Sequence, residues 1–440
     1  MNDELIRASA AELSRLVREK RASSREVVEA HLRRIEQVNF RINAVVQLDS
    51  KGALRSAIAA DEALSRGFTI GPLHGVPFTV KDWIETEGLI CAAGIEERRA
   101  FVPRRDATVV ARMRAAGAIL LGKTNVPVLA GARVYPRANN PHDVEQTPGA
   151  SSGGEAAIIA AGGSPLGLGS DSGGSIRLPA TYCGVVGLRP TVGLVPITGH
   201  FPHIGALGDP RTTIGPMVRH VSDLYLALRT IAGPDGIDPA TVPVLIANPE
   251  AVELSSLRIA WFVSIESANP TNETVSAVEA AARALQERGA HVEEARPPDI
   301  DKAAVVTRAY WARVRSMSWE QWQPGGKSSL GADETEESIF EWERFQRTML
   351  AFMNRFDAIV TLAAPCPAGS HRQLGLEDYI YNLPWSLTAQ PAVVVPCARS
   401  LEGMPIGVQI VSRRWRDDVA IAVAKALEDA FGGWQMAEVL

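Results

Sequence analysis

From the start of the chain to about Gly67, apolar and polar positions follow helical spacing. Ser9-Ala-Ala-Glu12 and Ser23-Ser-Arg-Glu26 read as capping boxes, in which a serine hydroxyl and a glutamate three places on satisfy the free amides of a helix's first turn. Each is followed by apolar residues three and four apart. The pattern predicts a helical N-terminal segment over residues 1–67, packed on whatever follows. Between Gly71 and Lys81 the residues become Pro, Val, Phe and Thr, which predicts a strand, Val76-Pro-Phe-Thr-Val80, ending at Lys81-Asp82. Asp106 is expected to cap a helix that runs to Ala116 and stops at Gly117, and Ala118-Ile-Leu-Leu121 reads as a buried strand. A strand over 257–263, a helix over 273–288, a stop at Gly289 and a strand over 290–294 form a βαβ unit. The fold class is therefore α/β with a parallel or mixed sheet.

Two stretches break this rhythm. Residues 132–211 are dense in Gly, Ser and Pro without repetition, and long ordered loops of that kind tend to carry function. Residues 234–257 read as a surface connector. A helical, tryptophan-rich insertion over about 300–350 contains the Gly325-Gly326 loop. The chain shows no internal repeat.

Composition narrows the function classes. Of 440 residues, 46% are hydrophobic and 22% charged, a balance that excludes a disordered chain or a coiled coil. With 45 Lys and Arg against 50 Asp and Glu, the net charge of −5 offers no broad positive field, so neither nucleic acid nor an anionic membrane is an expected partner. Cys91, Cys183, Cys366 and Cys397 are far apart and form no Cys-x-x-Cys pair, which predicts neither disulfides nor a zinc site. The N-terminus lacks a signal pattern, and no apolar run reaches the roughly 20 residues of a membrane helix. A soluble cytoplasmic protein is expected.

Several familiar chemistries can be set aside. Gly117-Ala-Ile-Leu-Leu-Gly122-Lys123-Thr124 matches the phosphate-loop pattern by letter, but its four middle residues read as the strand itself rather than as a flexible turn after one. The closest histidines, His200 and His203, flank a proline, and no His-Glu-x-x-His helix exists, so they read as ordinary loop residues. No Gly-x-Ser-x-Gly elbow stands in a strand-to-helix context, so a histidine-based serine triad is not expected. The strong signal is a pair of glycine-serine clusters, Thr147-Pro-Gly-Ala-Ser151-Ser-Gly-Gly154 and Gly169-Ser-Asp-Ser-Gly-Gly-Ser175-Ile-Arg177. Glycine allows close backbone approach to a substrate, and consecutive amides around Gly173, Gly174 and Ser175 can form a nest for a developing oxyanion. With Lys81 at the end of its strand, the set offers a nucleophile, a relay hydroxyl and a base.

These motifs, Gly75-Val-Pro-Phe-Thr-Val-Lys81-Asp82 and the two clusters above, resemble the amidase signature family of serine hydrolases. The likeness extends through Gly184-Val-Val-Gly-Leu-Arg-Pro190 and Gly403-Met-Pro-Ile-Gly-Val-Gln409 and is weakest over about 235–350. It implies an α/β/α sandwich around a large mixed sheet, with residues 68–440 as the catalytic domain. It also implies a Ser-cisSer-Lys triad of Ser175, Ser151 and Lys81 that cleaves amide C–N bonds through an acyl-enzyme, with the cis bond between Ala150 and Ser151. Amides from Ser172 through Gly173 and Gly174 to Ser175 would bind the oxyanion, while Ser152, Asp171 and Arg177 would support the site. No cofactor and no metal are implied, and the partner is a small-molecule amide or carbamate; a homodimer remains open. Two other readings stand beside the amidase: the A-type subunit of a glutamine-dependent tRNA amidotransferase, and a non-catalytic scaffold on the same fold. Ala150 and the Ala389-Gln-Pro-Ala stretch depart from family glycines, which puts the amidotransferase reading in doubt. Trp319 and Trp322, with Trp311 and Trp342, are expected to wall the substrate pocket if they are not helix packing.

Overall fold

The computed structural model describes residues 2–68, 71–126, 134–202, 209–314 and 330–439. Eleven strands in chain order form one sheet: β1 (Val45–Leu48), β2 (Pro77–Lys81), β3 (Ile119–Thr124), β4 (Leu166–Asp171), β5 (Val186–Arg189), β6 (Thr213–Val218), β7 (Arg258–Trp261), β8 (His291–Glu294), β9 (Ala358–Leu362), β10 (Ala392–Arg399) and β11 (Pro405–Ser412). Their spatial order is β1-β3-β2-β4-β6-β5-β10-β11-β9-β7-β8. β3, β2 and β4 run parallel, as do β9, β7 and β8, while the strands between and β1 pair antiparallel. The sheet is mixed, as the sequence predicts.

Helices cover both faces, which is why the inner strands β2, β3, β4, β6 and β11 are buried at every position rather than at alternate ones. Successive residues of β3 show the division: Leu120 joins one apolar cluster, Ile119 and Leu121 the other. Helices Ser24–Ile42 and Gly153–Ala160 pack with the second cluster; Ser222–Ile231 and Asp417–Phe431 pack with the first. The edge strand β8 is largely exposed and the edge strand β1 is half-buried.

The βαβ unit forms as expected, with Thr271 capping helix Asn272–Glu287 and β8 parallel to β7. The phosphate-loop match is refuted by place: Gly122, Lys123 and Thr124 lie inside β3, and the buried Lys123 ammonium donates to the Ile84 carbonyl and, at 3.1 Å, to Thr86 Oγ1. Three expectations need correction. The lead-in is not all helical, because Val45–Leu48 pairs with β3 as an edge strand. Only the second serine forms a full capping box, since Glu12 is drawn to Arg15 at 2.6 Å instead of back to its helix start. Asp106 does not cap helix Thr108–Ala115; its carboxylate accepts the Glu87 amide at 2.8 Å and pairs with Arg114 at 3.2 Å.

The four cysteines are unpaired, and no helix among the described residues is long and apolar enough to cross a membrane. The insertion contributes helices Ala303–Val314 and Ala332–Met353. Trp342 is core, buried against Tyr310 with its Nε1 donating to the Leu387 carbonyl at 2.8 Å. Trp311 is exposed. Trp319 and Trp322 lie outside the described residues, as does His203.

Candidate active site

β2 and β4 lie side by side in parallel, with Thr79 opposite Gly167 and Val80 opposite Leu168. Their carboxyl ends therefore bring Lys81 and the pair Ser170-Asp171 to one edge of the sheet, the edge where open α/β sheets gather ligand-binding loops. Lys81 is fully buried. Its Nζ lies 2.5 Å from Ser151 Oγ, 2.9 Å from Ser170 Oγ and 4.3 Å from the centre of a Trp83 ring. Burial disfavours the ammonium and drives the Lys81 pKa well below its ordinary 10.5, against the opposing pull of the Asp171 and Glu155 carboxylates. The amine can thus be neutral beside a hydroxyl, which is the condition for a lysine to act as a base.

Behind it, Glu155 is clamped by hydroxyls from two strands, Thr79 on β2 and Thr124 on β3, the latter at 2.8 Å. Burial pushes the Glu155 pKa up to about 7, partly offset by those two hydrogen bonds and by Lys123 and Lys81.

Ser152 fastens the two glycine-serine clusters together. Its Oγ accepts from the Ser170 amide at 3.3 Å and donates to the Ser170 carbonyl at 3.2 Å, while its own amide donates to the Ser175 carbonyl at 3.3 Å. Ser151 Oγ reaches Lys81 but makes no hydrogen bond to Ser175 Oγ among the described residues. The expected cis bond is also corrected. Phe201–Pro202 is the one cis peptide among the described residues, so Ala150–Ser151 is trans. Ser151 Oγ meets Lys81 Nζ with the preceding peptide bond trans.

The second cluster turns around the buried Asp171. Its carboxylate accepts the Gly174 amide at 2.8 Å, the Ile176 amide at 3.1 Å, and Arg177 Nη2 and Nε at 2.9 and 3.0 Å. Burial raises the Asp171 pKa, but the Arg177 charge and hydrogen bonds outweigh it and hold the carboxyl below the usual carboxylate range. Arg177 also donates to the Asn382 carbonyl, Gln409 Oε1 and Ser386 Oγ at 2.7 to 2.9 Å, tying the loop to β11 and to the helix Leu383–Leu387. Gly174 stands at φ +132°, where a Cβ would lie 2.9 Å from that of Asn382, so only glycine fits. One consequence departs from the sequence reading: the Gly174 amide is already occupied by Asp171 and cannot serve an oxyanion. The amides of Ser172, Gly173 and Ser175 make no hydrogen bond among the described residues, and Ser175 is only half-buried.

Because Arg177 fills a planar fork with five donations, a single ammonium cannot replace it. Arg177→Lys is expected to lose about 3–5 kcal/mol of stability, the cost of breaking a buried ion pair. Urea unfolding checks this, and a loss below about 1 kcal/mol contradicts the bracing role.

The structure thus brings Lys81, Ser151, Ser152, Asp171, Arg177 and the 172–175 loop together. Sequence reading missed two neighbours. Ser170 lies inside a quoted motif but carried no assigned role. His200, read as a loop residue, is buried with its Nε2 2.9 Å from Ser170 Oγ. Among the described residues no group of His, Cys, Asp and Glu side chains could hold a metal ion.

Comparison with known proteins gives the family of the chain. The family model described as Amidase matches residues 26–321 and 308–420. An acylamidase of Rhodococcus erythropolis is 32% identical, over 96% of this chain and 94% of the relative. The A-type subunit of the glutamyl-tRNA(Gln) amidotransferase of Moorella thermoacetica is also 32% identical, over 97% of each. A bacterial aryl acylamidase of the amidase signature family superimposes with a TM-score of 0.86 at 25% identity, covering 96% of both chains.

Proposed function

Because the chain belongs to the amidase family and is an amidohydrolase of the amidase signature type, we propose that Ser175, Ser151 and Lys81 are its catalytic residues and that bulky or aromatic amides, anilides or carbamates are its substrates. The observation that carries this reading is the buried Lys81 amine, 2.5 Å from Ser151 Oγ at the foot of the Ser175 loop. Neutral Lys81 takes the Ser151 hydroxyl proton as Ser151 takes that of Ser175. The freed Ser175 oxygen then forms a bond to the substrate carbonyl carbon. Amides of Ser172, Gly173 and Ser175 stabilise the oxyanion. When the C–N bond breaks, Ser151 hands its proton to the leaving nitrogen and is reprotonated from Lys81. Water then attacks the acyl-enzyme by the same relay, releasing the acid and restoring Ser175. No step calls for a cofactor.

The substrate class rests on the apolar surroundings of the Ser151 segment and on the relatives. Ala150, Leu178, Tyr182, Ala364, Ala368 and Met404 form a separate buried apolar cluster, in which Ala150 adjoins Ser151 and Leu178 adjoins Arg177 along the chain, and apolar surroundings of this kind favour an apolar acyl or amine part. The acylamidase and aryl acylamidase relatives support the same choice. Hydrolysis by the purified chain alone tests it: kcat/KM for an anilide or aryl carbamate should exceed that for acetamide or glutamine by about 10-fold or more, the worth of one or two buried methylenes.

The amidotransferase reading is favoured by the Moorella thermoacetica relative. It requires partner proteins, with glutamine as the nitrogen source. Activity of the isolated chain on anilides, with none on glutamine, decides against it.

A further inference from the structure

We propose that His200 is a positioning residue for the base: acting through Ser170, it ties down a hydrogen of the Lys81 amine and leaves the lone pair directed at Ser151. The inference rests on the reading of Lys81 as the base.

The hydrogen-bond directions follow from what each atom can do. The backbone of His200 bridges that of Ile84, three residues beyond Lys81, and this carries the imidazole over the end of β2. His200 Nδ1 lies 3.2 Å from the Pro202 carbonyl, which can only accept, so Nδ1 bears the hydrogen. In the neutral ring Nε2 is then an acceptor, and it takes the Ser170 hydroxyl hydrogen across 2.9 Å. With that hydrogen committed, Ser170 Oγ offers Lys81 Nζ only lone pairs, also at 2.9 Å, and the Ser170 carbonyl offers another at 3.4 Å. A neutral amine has two hydrogens and one lone pair. The hydrogens are held on the Ser170 side, and the lone pair is left for the Ser151 hydroxyl at 2.5 Å.

Without the imidazole acceptor, the Ser170 hydroxyl can rotate and donate into the same lone pair, in competition with Ser151. The enzyme would keep its base but aim it at the wrong hydroxyl. Trp83 steadies the pair sterically: its ring meets His200 edge-on, at 5.8 Å between centroids and 84° between planes, and also lies against Lys81 Nζ.

The test uses the full chain, with fluorophosphonate labelling of Ser175 and steady-state hydrolysis of an anilide as readouts. His200→Phe keeps a ring against Trp83 and removes the acceptor. It is expected to lower kcat and the labelling rate together by about 10- to 100-fold, the scale of a misaligned reacting group, with KM within about 2-fold. His200→Gln, whose carbonyl can reach the place of Nε2, should recover most of the loss. Ser170→Ala removes the competing hydroxyl as well as the tether, so adding His200→Phe to it should cost no more than about 2-fold, a strong departure from additivity. The inference is overturned if His200→Phe leaves kcat and labelling unchanged, or if its cost in the Ser170→Ala background is as large as in the wild type. It is likewise overturned if Phe and Gln are equally damaging, or if only KM or Tm moves. Should His200→Phe not fold, His200→Leu, which also removes the acceptor, with Ser170→Ala and their double variant give the same cycle. A wild-type protein that takes no label at Ser175 instead removes the triad reading, and this inference with it.

Discussion

Ser175→Ala is expected to abolish fluorophosphonate labelling and to lower kcat by about 10⁴- to 10⁶-fold, as removal of a nucleophile does in other serine enzymes. The fold should be indifferent to the change. Ser175 Oγ makes no hydrogen bond among the described residues and the residue is half-buried, so its loss leaves neither a cavity nor an orphaned partner. Tm should therefore stay within about 2 °C, the shift that a surface-scale change below 0.5 kcal/mol allows. Intact-mass measurement after labelling gives the first answer and thermal unfolding the second. Label that survives on another serine would assign the nucleophile elsewhere, whereas lost label with a collapsed Tm would make Ser175 a structural residue.

The loop around that serine was legible in sequence because its parts are local. Asp171 sits six positions before Arg177, and the glycines between them have to turn the chain within that span. Ser152 was likewise legible as a supporting residue, since it stands beside Ser151 inside the first glycine-serine motif. Lys81 was legible because five apolar or β-branched positions lead straight to it. These are short-range facts. The convergence on Lys81 is not of this kind: Ser170 is 89 positions away, and His200 lies 30 beyond Ser170. No periodicity links them; the parallel register of β2 with β4 and the Ile84–His200 bridge do.

The misread elements have the same cause. Four residues, Val45–Leu48, are too few to announce a strand between two helices, and they become one only because β3 offers a free edge. Asp106 has the chemistry of a cap, yet Glu87 and Arg114 outcompete the helix start for its oxygens. The Gly174 amide was assigned to the oxyanion because a glycine-rich turn exposes amides. Its positive φ instead turns that amide inward to Asp171, and no sequence pattern distinguishes the two outcomes.

Lys81→Met carries the second large effect, and its sign differs between activity and stability. Methionine fills the volume but cannot accept a proton, so kcat should fall by about 10²- to 10⁴-fold, the usual share of a general base. On the proposed mechanism the active form of Lys81 in the wild type is the neutral one. Burial lowers its pKa, with Asp171 and Glu155 opposing, so the rate should rise with pH along a limb centred below 10.5. Glu155→Gln removes one opposing carboxylate and should move that limb to lower pH. The substitution acts on stability in the opposite sense to its effect on activity. The unfolded chain keeps the lysine protonated up to its ordinary pKa while the folded protein does not, so folding releases a proton within that window and this residue's destabilising effect fades as pH rises. Below the depressed folded value the ammonium must stay buried and the penalty is full. Lys81→Met should therefore match or exceed the wild-type Tm, by a margin that widens toward acid pH, while its activity is lost at every pH. A variant that is both inactive and less stable at all pH values would mean that the lysine holds the core together, and the base would have to be sought elsewhere.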